Sequence, residues 1–299
     1  DTPNADAVGV AVHDVNVGLA LMKPTDKTDK ASYFALKVTA ADVDILGLPD
    51  ELVFDIQGVT FEVNRASDPD NPNNAPVVNF AKLSGGAMQI PTGSGSISLD
   101  YEAEFLRVSI AKATVAISDY VYISGGLAFE KSANQTVTLS DGKTTKEVSV
   151  IKIGAGNVDV FAGVGPYFVD SNGDGVIDDN DTPDADAMGL AVHDINLGLA
   201  LMKPTDKADK TSYFALKVTA ETVQILGLPE ELSFDKIHGV TFEINRSSDP
   251  NNDDAPVVDF SKLTNGAMEI PTGAGILNLD YANKFLRVSV AKVTVSISD

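Results

Sequence analysis

Large apolar residues alternate with polar or small ones along much of the chain. Leu106-Arg107-Val108-Ser109-Ile110, Thr114-Val115-Ala116-Ile117, Tyr120-Val121-Tyr122-Ile123 and Thr60-Phe61-Glu62-Val63-Asn64-Arg65 all follow a period of two and are rich in Val, Ile, Phe, Tyr and Thr. That pattern predicts β-strands with one buried face. Between Thr136-Val137-Thr138-Leu139 and Glu147-Val148-Ser149-Val150 lies Ser140-Asp141-Gly142-Lys143, whose Asp-Gly pair supplies the positive φ values of a tight hairpin turn. Apolar spacing at i, i+3, i+4, i+7 is not sustained anywhere. Asp100 to Ala111 comes nearest, and its continuation into Thr114 to Ile117 favours a strand.

The strand phrases recur. Leu36 to Ile45 superimposes on Ile151 to Val160, and Leu106 through Ile117 fits the same phrase with two extra residues. Companion phrases follow at Ile56 to Phe61, Ile123 to Phe129 and Ile195 to Leu201. At a longer range, residues 181–299 repeat residues 1–119 with about 85 of 119 positions identical, a period of 180 residues. An insertion (Lys236-Ile237-His238 against Ile56-Gln57) and a deletion in the next loop cancel, and the copies are back in step at Phe80 and Phe260. The expected organisation is therefore a first copy (1–119), a connecting β unit (120–180) and a second copy (181–299). The whole is read as one period plus about two-thirds of the next, cut from a longer polymer. Short strand pairs that bury a core only against their neighbours predict an all-β, elongated tandem-repeat rod, either a β-solenoid or a continuously curled antiparallel sheet. A string of β-barrels or sandwiches is the alternative.

Composition changes the picture mainly through charge. The net charge of −21, from 43 acidic against 22 basic residues, opposes binding to nucleic acid or anionic lipid and favours divalent cations. Without cysteine there are no disulfides or thiolate sites, so stability has to come from packing or metal. No apolar run reaches the roughly 18 residues of a membrane-spanning helix.

One motif carries specific chemistry. Residues 170–181, Asp-Ser-Asn-Gly-Asp-Gly-Val-Ile-Asp-Asp-Asn-Asp, reproduce the spacing of a twelve-residue calcium loop. Asp170, Asn172, Asp174, Asp178 and Asp181 place side-chain oxygens at the ligating positions, Val176 offers its carbonyl, and Gly175 permits the sharp turn. The closing residue is Asp rather than Glu, as in the calcium loops of dockerins and thrombospondin type 3 repeats. The flanks read as strands, so the loop is borrowed without the EF-hand fold.

Other candidates are weaker. The loops at 67–74 and 248–254 are acidic, but their acidic positions shift between copies, which favours solvated loops over further calcium sites. His13-Asp14 and His193-Asp194 sit in strand phrases where neighbours point to opposite faces, so neither pair converges and the histidines read as hydrogen-bonded or surface residues. His238 falls in the insertion. Pro91 to Gly95 and Gly154 to Gly156 lack the spacing and following helix of phosphate cradles.

The calcium loop, the phrases Tyr122 to Lys131 and Gly198 to Pro204, and the near-identical long repeats together resemble the repeat regions of very large bacterial extracellular proteins, often grouped with calcium-binding adhesins. The nonapeptide array of RTX proteins is absent. The resemblance implies a calcium-stabilised segment of a secreted or cell-surface filament or adhesin, its partners being neighbouring repeats or copies of itself end to end. Acidic faces would keep such a rod soluble. A module that binds cell-surface or matrix glycans is the second expectation, against which stands the absence of Trp. No enzyme activity is expected, since a hydrolase would need a convergent acid/base cluster.

Overall fold

A computed structural model of the chain describes residues 7–49, 51–71, 75–169, 171, 181–228, 232–234, 236–249, 252 and 254–297. In the first copy lie β1 (Gly9–His13), β2 (Asn16–Met22), β3 (Ser32–Leu46), β4 (Leu52–Ser67), β5 (Met88–Pro91), β6 (Ser96–Leu99) and β7 (Phe105–Ile117). The connecting unit supplies β8 (Val121–Thr138), β9 (Thr145–Val164) and β10 (Phe168–Val169). The second copy holds β11 (Thr182–Pro183), β12 (Met188–Pro204), β13 (Ser212–Leu226), β14 (Leu232–Phe234), β15 (Ile237–Ser248), β16 (Met268–Pro271), β17 (Ile276–Leu279), β18 (Phe285–Lys292) and β19 (Val295–Ile297). Eleven of these strands form a single antiparallel sheet in the order β1-β3-β4-β7-β8-β9-β12-β13-β15-β18, with β2 alongside β3. One sheet thus runs through both copies. Among the described residues it does not close into a barrel, because β18 pairs only with β15 and the far edge belongs to β1 and β2.

The segments read from the sequence as separate short strands are halves of long ones. Leu106–Ile110 and Thr114–Ile117 both lie in β7, and the phrase Ile151 to Val160 lies within β9. What separates the halves is a line of irregularities crossing the sheet. The pairing shifts register between Ile110 and Ala113 in β7, between Ser124 and Gly126 in β8, and twice between Val192 and Leu197 in β12. Asn157 and Asp194 adopt φ of 51° and 50°, and Gly58 and Gly239 adopt 65° and 64° at the same level. A Cβ on Gly58 would lie 2.7 Å from the Cβ of Ala111, so this crossing point needs glycine for space as well as for conformation. Extra residues in a strand break the simple alternation and sharpen the local twist, which is why a strict period of two stops midway along each phrase.

The hairpin at residues 139–144 is present but wider than the Asp-Gly pair implies. Only Gly142 has positive φ (69°). Asp141 instead caps the loop, its carboxylate accepting from the Lys143 and Thr144 N–H groups at 3.0 and 2.9 Å.

The two faces differ in kind. One cross-strand row runs Val17, Val38, Phe61, Val108, Phe129, Ile153, Leu199, Leu216, Ile244 and Leu286, each opposite the next. This apolar face is not the buried one. Leu127, Phe129, Ile153, Leu201 and Leu286 stay 37–53% exposed. The opposite face carries small and charged residues, and the two long loops fold down onto it because glycine and alanine leave room. In the first copy the β5–β6 hairpin and Phe80 close over Ala20 and Ala35, with Tyr101 edge-on to both Phe80 and Phe105. In the second copy β16–β17 and Phe260 cover Ala200, Met202 and Ala215, and this core also takes in Val137, Leu139, Val148 and Val150 from the β8–β9 hairpin. Segment 257–259 is stitched to that hairpin by the Leu139–Val258 bridge. The predicted acidic faces are not found on the strands, where acids cluster on the covered side.

That side is crossed by an alternating charge ladder. Lys37, Glu62, Arg107, Glu130 and Lys152 stand directly opposite one another on β3, β4, β7, β8 and β9. Glu130 is buried and takes Arg107 at 2.6 and 2.8 Å, Lys152 at 2.9 Å and the Ser132 hydroxyl at 2.6 Å. Glu62 joins Lys37 at 3.3 Å and Arg107 at 3.4 Å. The second copy repeats the start of the ladder, with Glu243 between Lys217 and Arg287. Removing one member strands its buried partners, which costs more than the intact ladder contributes. Glu130→Ala should therefore lower unfolding free energy by about 2–4 kcal/mol, read from urea denaturation midpoints; a change below about 0.5 kcal/mol would show the ladder to be a surface ornament.

Candidate metal centre

Of the calcium-loop residues, Asp170, Asn172, Asp174, Val176 and Asp178 lie outside the described residues, while Ser171 and Asp181 lie within them. The loop's ends are drawn together by the small ribbon β10–β11, in which Phe168 faces Pro183 and Val169 faces Thr182. Asp181 is buried at its base. Its carboxylate accepts from the Ser171 N–H at 3.0 Å, and the Ser171 hydroxyl in turn accepts from the Thr182 N–H at 3.1 Å. Beneath the ribbon, Tyr167 stacks on Phe161 at 4.9 Å and meets Phe168 edge-on, with Tyr122, Ala187 and Ala191 completing a small core. The flanks are strands, as expected. Among the described residues no group of three or more His, Asp or Glu side chains is set to hold a metal.

The two further acidic loops are partly described. Asp68 caps its own turn by accepting from the Asp70 N–H at 2.9 Å, and Asp254 lies 3.8 Å from Lys284. Residues 72–74, 250, 251 and 253 lie outside the described residues.

The histidines do find carboxylates, on other strands. His13 Nε2 lies 3.0 Å from Asp44. At the matching place in the second copy Gln224 replaces Asp44, and His193 Nδ1 lies 3.1 Å from Asp159 of β9, on its other side. His193 Nε2 then meets the Tyr167 hydroxyl at 2.7 Å, joining the histidine to the base of the loop. Asp194, its sequence neighbour, contributes only its N–H, which Asp159 accepts at 3.1 Å. Asp159 and Tyr167 escaped sequence reading. The exchange of Asp44 for Gln224 was the available signal, because it leaves the second histidine in need of another acid.

These groups are arranged for structure. Burial raises the Tyr167 hydroxyl above its ordinary value, aided by the nearby Asp159 charge, which makes it a poor nucleophile. Burial alone would raise Asp159 too, yet the hydrogen bonds from His193 and Asp194, with the pull of His193 and Lys112, hold it low. Glu130 follows the same logic, burial being outweighed by Lys152, Ser132 and Arg107. Glu62 and Glu130 line a cavity of about 440 Å³ with Arg107 and Lys152. They are buried paired carboxylates, and cations clamp both. The chain matches no protein-family model, no curated protein and no solved structure.

Acid should weaken the fold in a defined window. Asp141 and Asp209 are lowered to about 2, Asp141 by the Thr144 and Lys143 hydrogen bonds and Asp209 by Lys146 and Thr211. A carboxyl that titrates lower when folded stabilises above its ordinary value and loses that contribution as pH falls through the folded one. Among the described carboxyls with a shifted value only Asp55, raised by burial, opposes this. Urea midpoints should hold steady from neutral pH to about 4, near ordinary carboxyl values, and decline from there towards pH 2; a midpoint rising over that interval would contradict these assignments.

Proposed function

We propose that this chain is a structural, calcium-stabilised segment of a secreted or cell-surface repeat protein, serving as a filament or as the extender of an adhesin. The observation that carries the reading is the single sheet through both copies: β7 of the first reaches β12 of the second only through β8 and β9, with hydrogen-bonded strands all the way. Such pairing supports a continuous rod of the curled-sheet kind, in which each repeat completes its neighbour. The second-copy core uses β8–β9 side chains, whereas in the first copy Val78 at the place of the fully buried Val258 is only half-buried. Likewise, Arg107 has Glu130 beyond it, while among the described residues Arg287 on β18 pairs with Glu243 alone.

Calcium is proposed for Asp170, Asn172, Asp174, the Val176 carbonyl, Asp178 and Asp181. Support comes from the loop spacing and from the ribbon that pins its ends. In this position the ion would join the connecting unit to the second copy and keep its charge away from the apolar face. The clamped carboxylates speak for a non-enzymatic role.

Binding at about 100 times the dissociation constant would add about 2.7 kcal/mol, so excess chelator should lower the melting temperature and calcium should restore it. Coincident melting curves, with no calorimetric signal on adding calcium, would make the loop a solvated turn. The rod is tested separately. Appending another copy of residues 120–164 after Asp299 should raise the melting temperature by about 2–4 °C for each kcal/mol gained, and an alanine in place of the glutamate that meets Arg287 should cancel much of the rise. No change on appending would count against shared sheets as the unit of assembly.

A further inference from the structure

The bare face of the sheet presents side chains of one chemistry. From Phe129 up to Val121 on β8, and from Ile151 up to Val164 on β9, every side chain on this face is aliphatic or aromatic, or is absent at Gly125. Within these spans the one exposed polar residue is Asn157, at the seam of β9 where the alternation breaks. Protein interfaces carry about one hydrogen bond per 100–200 Å², and away from the seam this surface offers side chains for none. At one end of the strands the band stops at a row of cations: Lys23, Arg65, Lys131, Lys203 and Arg246. Their place on this face follows from register, since Arg65 stands opposite Phe34, Lys131 opposite Leu106, and Arg246 opposite Phe214. All are exposed, and none makes an ion pair or side-chain hydrogen bond among the described residues. Towards that end of β9, Glu147 accepts from the Thr205 hydroxyl at 2.9 Å.

At the first-copy end the face dips into a groove of about 900 Å³. Leu21, Phe34, Phe61, Val63 and Leu106 line it, with Lys23 and Arg65 at its mouth. The second copy repeats the combination at Leu201, Phe214, Phe242 and Ile244 with Lys203 and Arg246. An apolar trough that opens onto paired cations fits a molecule with a long hydrocarbon tail and an anionic head.

We infer that the bare face binds anionic phospholipid, the phosphate held by Lys23 and Arg65, and again by Lys203 and Arg246, with the acyl chains laid along the strands. The net charge of −21 does not forbid this. At physiological ionic strength a charge is screened within about 8 Å, so the local cations decide the contact, and clustered basic residues next to an apolar surface are what anionic lipid selects.

The test uses the full chain at physiological salt with vesicles of phosphatidylglycerol and phosphatidylcholine, or of phosphatidylcholine alone. After flotation, the chain should rise with the mixed vesicles and, once separated, carry phosphatidylglycerol detectable by mass spectrometry. Joint replacement of Lys23, Arg65, Lys203 and Arg246 by Glu should reduce binding by about tenfold or more. Leu21→Asp, at a largely exposed site, should weaken it while far-ultraviolet circular dichroism stays unchanged, and Lys207→Glu, in an exposed turn, should leave it intact. Failure to float with either vesicle, or undiminished binding by the fourfold variant, overturns the inference. So does a discrete dimer in sedimentation that Leu21→Asp dissolves and that ignores lipid, which would give the face to a second copy of this chain.

Discussion

The two-residue period of a β-strand is the constraint on which the rest of this molecule depends. A slip of one residue moves a strand's entire apolar set to the other face, and here the same two faces must persist across an eleven-stranded sheet. Strands of 13 to 20 residues, such as β7 and β9, accumulate too much twist to stay flat and paired throughout. The transverse seam answers this. By placing the register shifts of β7, β8 and β12 at one level with the positive-φ residues Gly58, Asn157, Asp194 and Gly239, the sheet lets neighbouring strands bend together and resume with their faces aligned. Had only one strand carried a bulge, Val115 and Ile123 would no longer share a face with Phe61 and Phe129.

Alignment of faces is also what makes the charge ladder possible. Five long side chains can stand opposite one another only if every register along the way is correct, and a slip of one residue would carry Glu62 or Glu130 to the apolar face and leave their cations unpaired on the covered one. The ladder therefore penalises wrong registers more than it rewards the right one, consistent with the small net value of buried ion pairs. It sits beside the covering loops, where Tyr101 and Tyr281 donate their hydroxyls to the Leu36 and Leu216 carbonyls at 3.0 and 3.2 Å and lock each loop to its strand. Neighbouring Glu62 and Glu243 reinforce burial in keeping these phenols protonated.

Much of this was legible in the sequence because period-two patterning and a long repeat are strong signals. The strand phrases, the β8–β9 hairpin and the recurrence of one unit could be read directly. The pairing of half-phrases into long strands could not, since a bulge looks in sequence like the end of a strand. Nor could the choice of covered face: alternation says that apolar residues share a side, while Gly18, Ala20, Ala35 and Ala200 reveal only in three dimensions that a loop descends on the other. For the proposed calcium loop the sequence is the witness, and of its residues Ser171 and Asp181 are described, beside the β10–β11 ribbon. His193 shows the limit of local reading, since its acid, Asp159, comes from the preceding strand of the sheet.

Charge is segregated in this chain rather than scattered. Acids fill the turns, the proposed metal loop and the ladder, while the uncompensated cations with access to the apolar face lie at one end of it. A uniform acidic coat would have kept that face soluble by repulsion but left its hydrocarbon unsatisfied, at roughly 25 cal/mol for each Å² left in water. Large exposed apolar surfaces persist only where something covers them in use. The basic border gives that cover a direction, because it sets an anionic group at one end of the strands and leaves the other end to hydrocarbon. The same separation protects the cluster at the β10–β11 ribbon: Tyr167 packs on Phe161 and Tyr122, away from the apolar face, so occupation of that face leaves the cluster undisturbed.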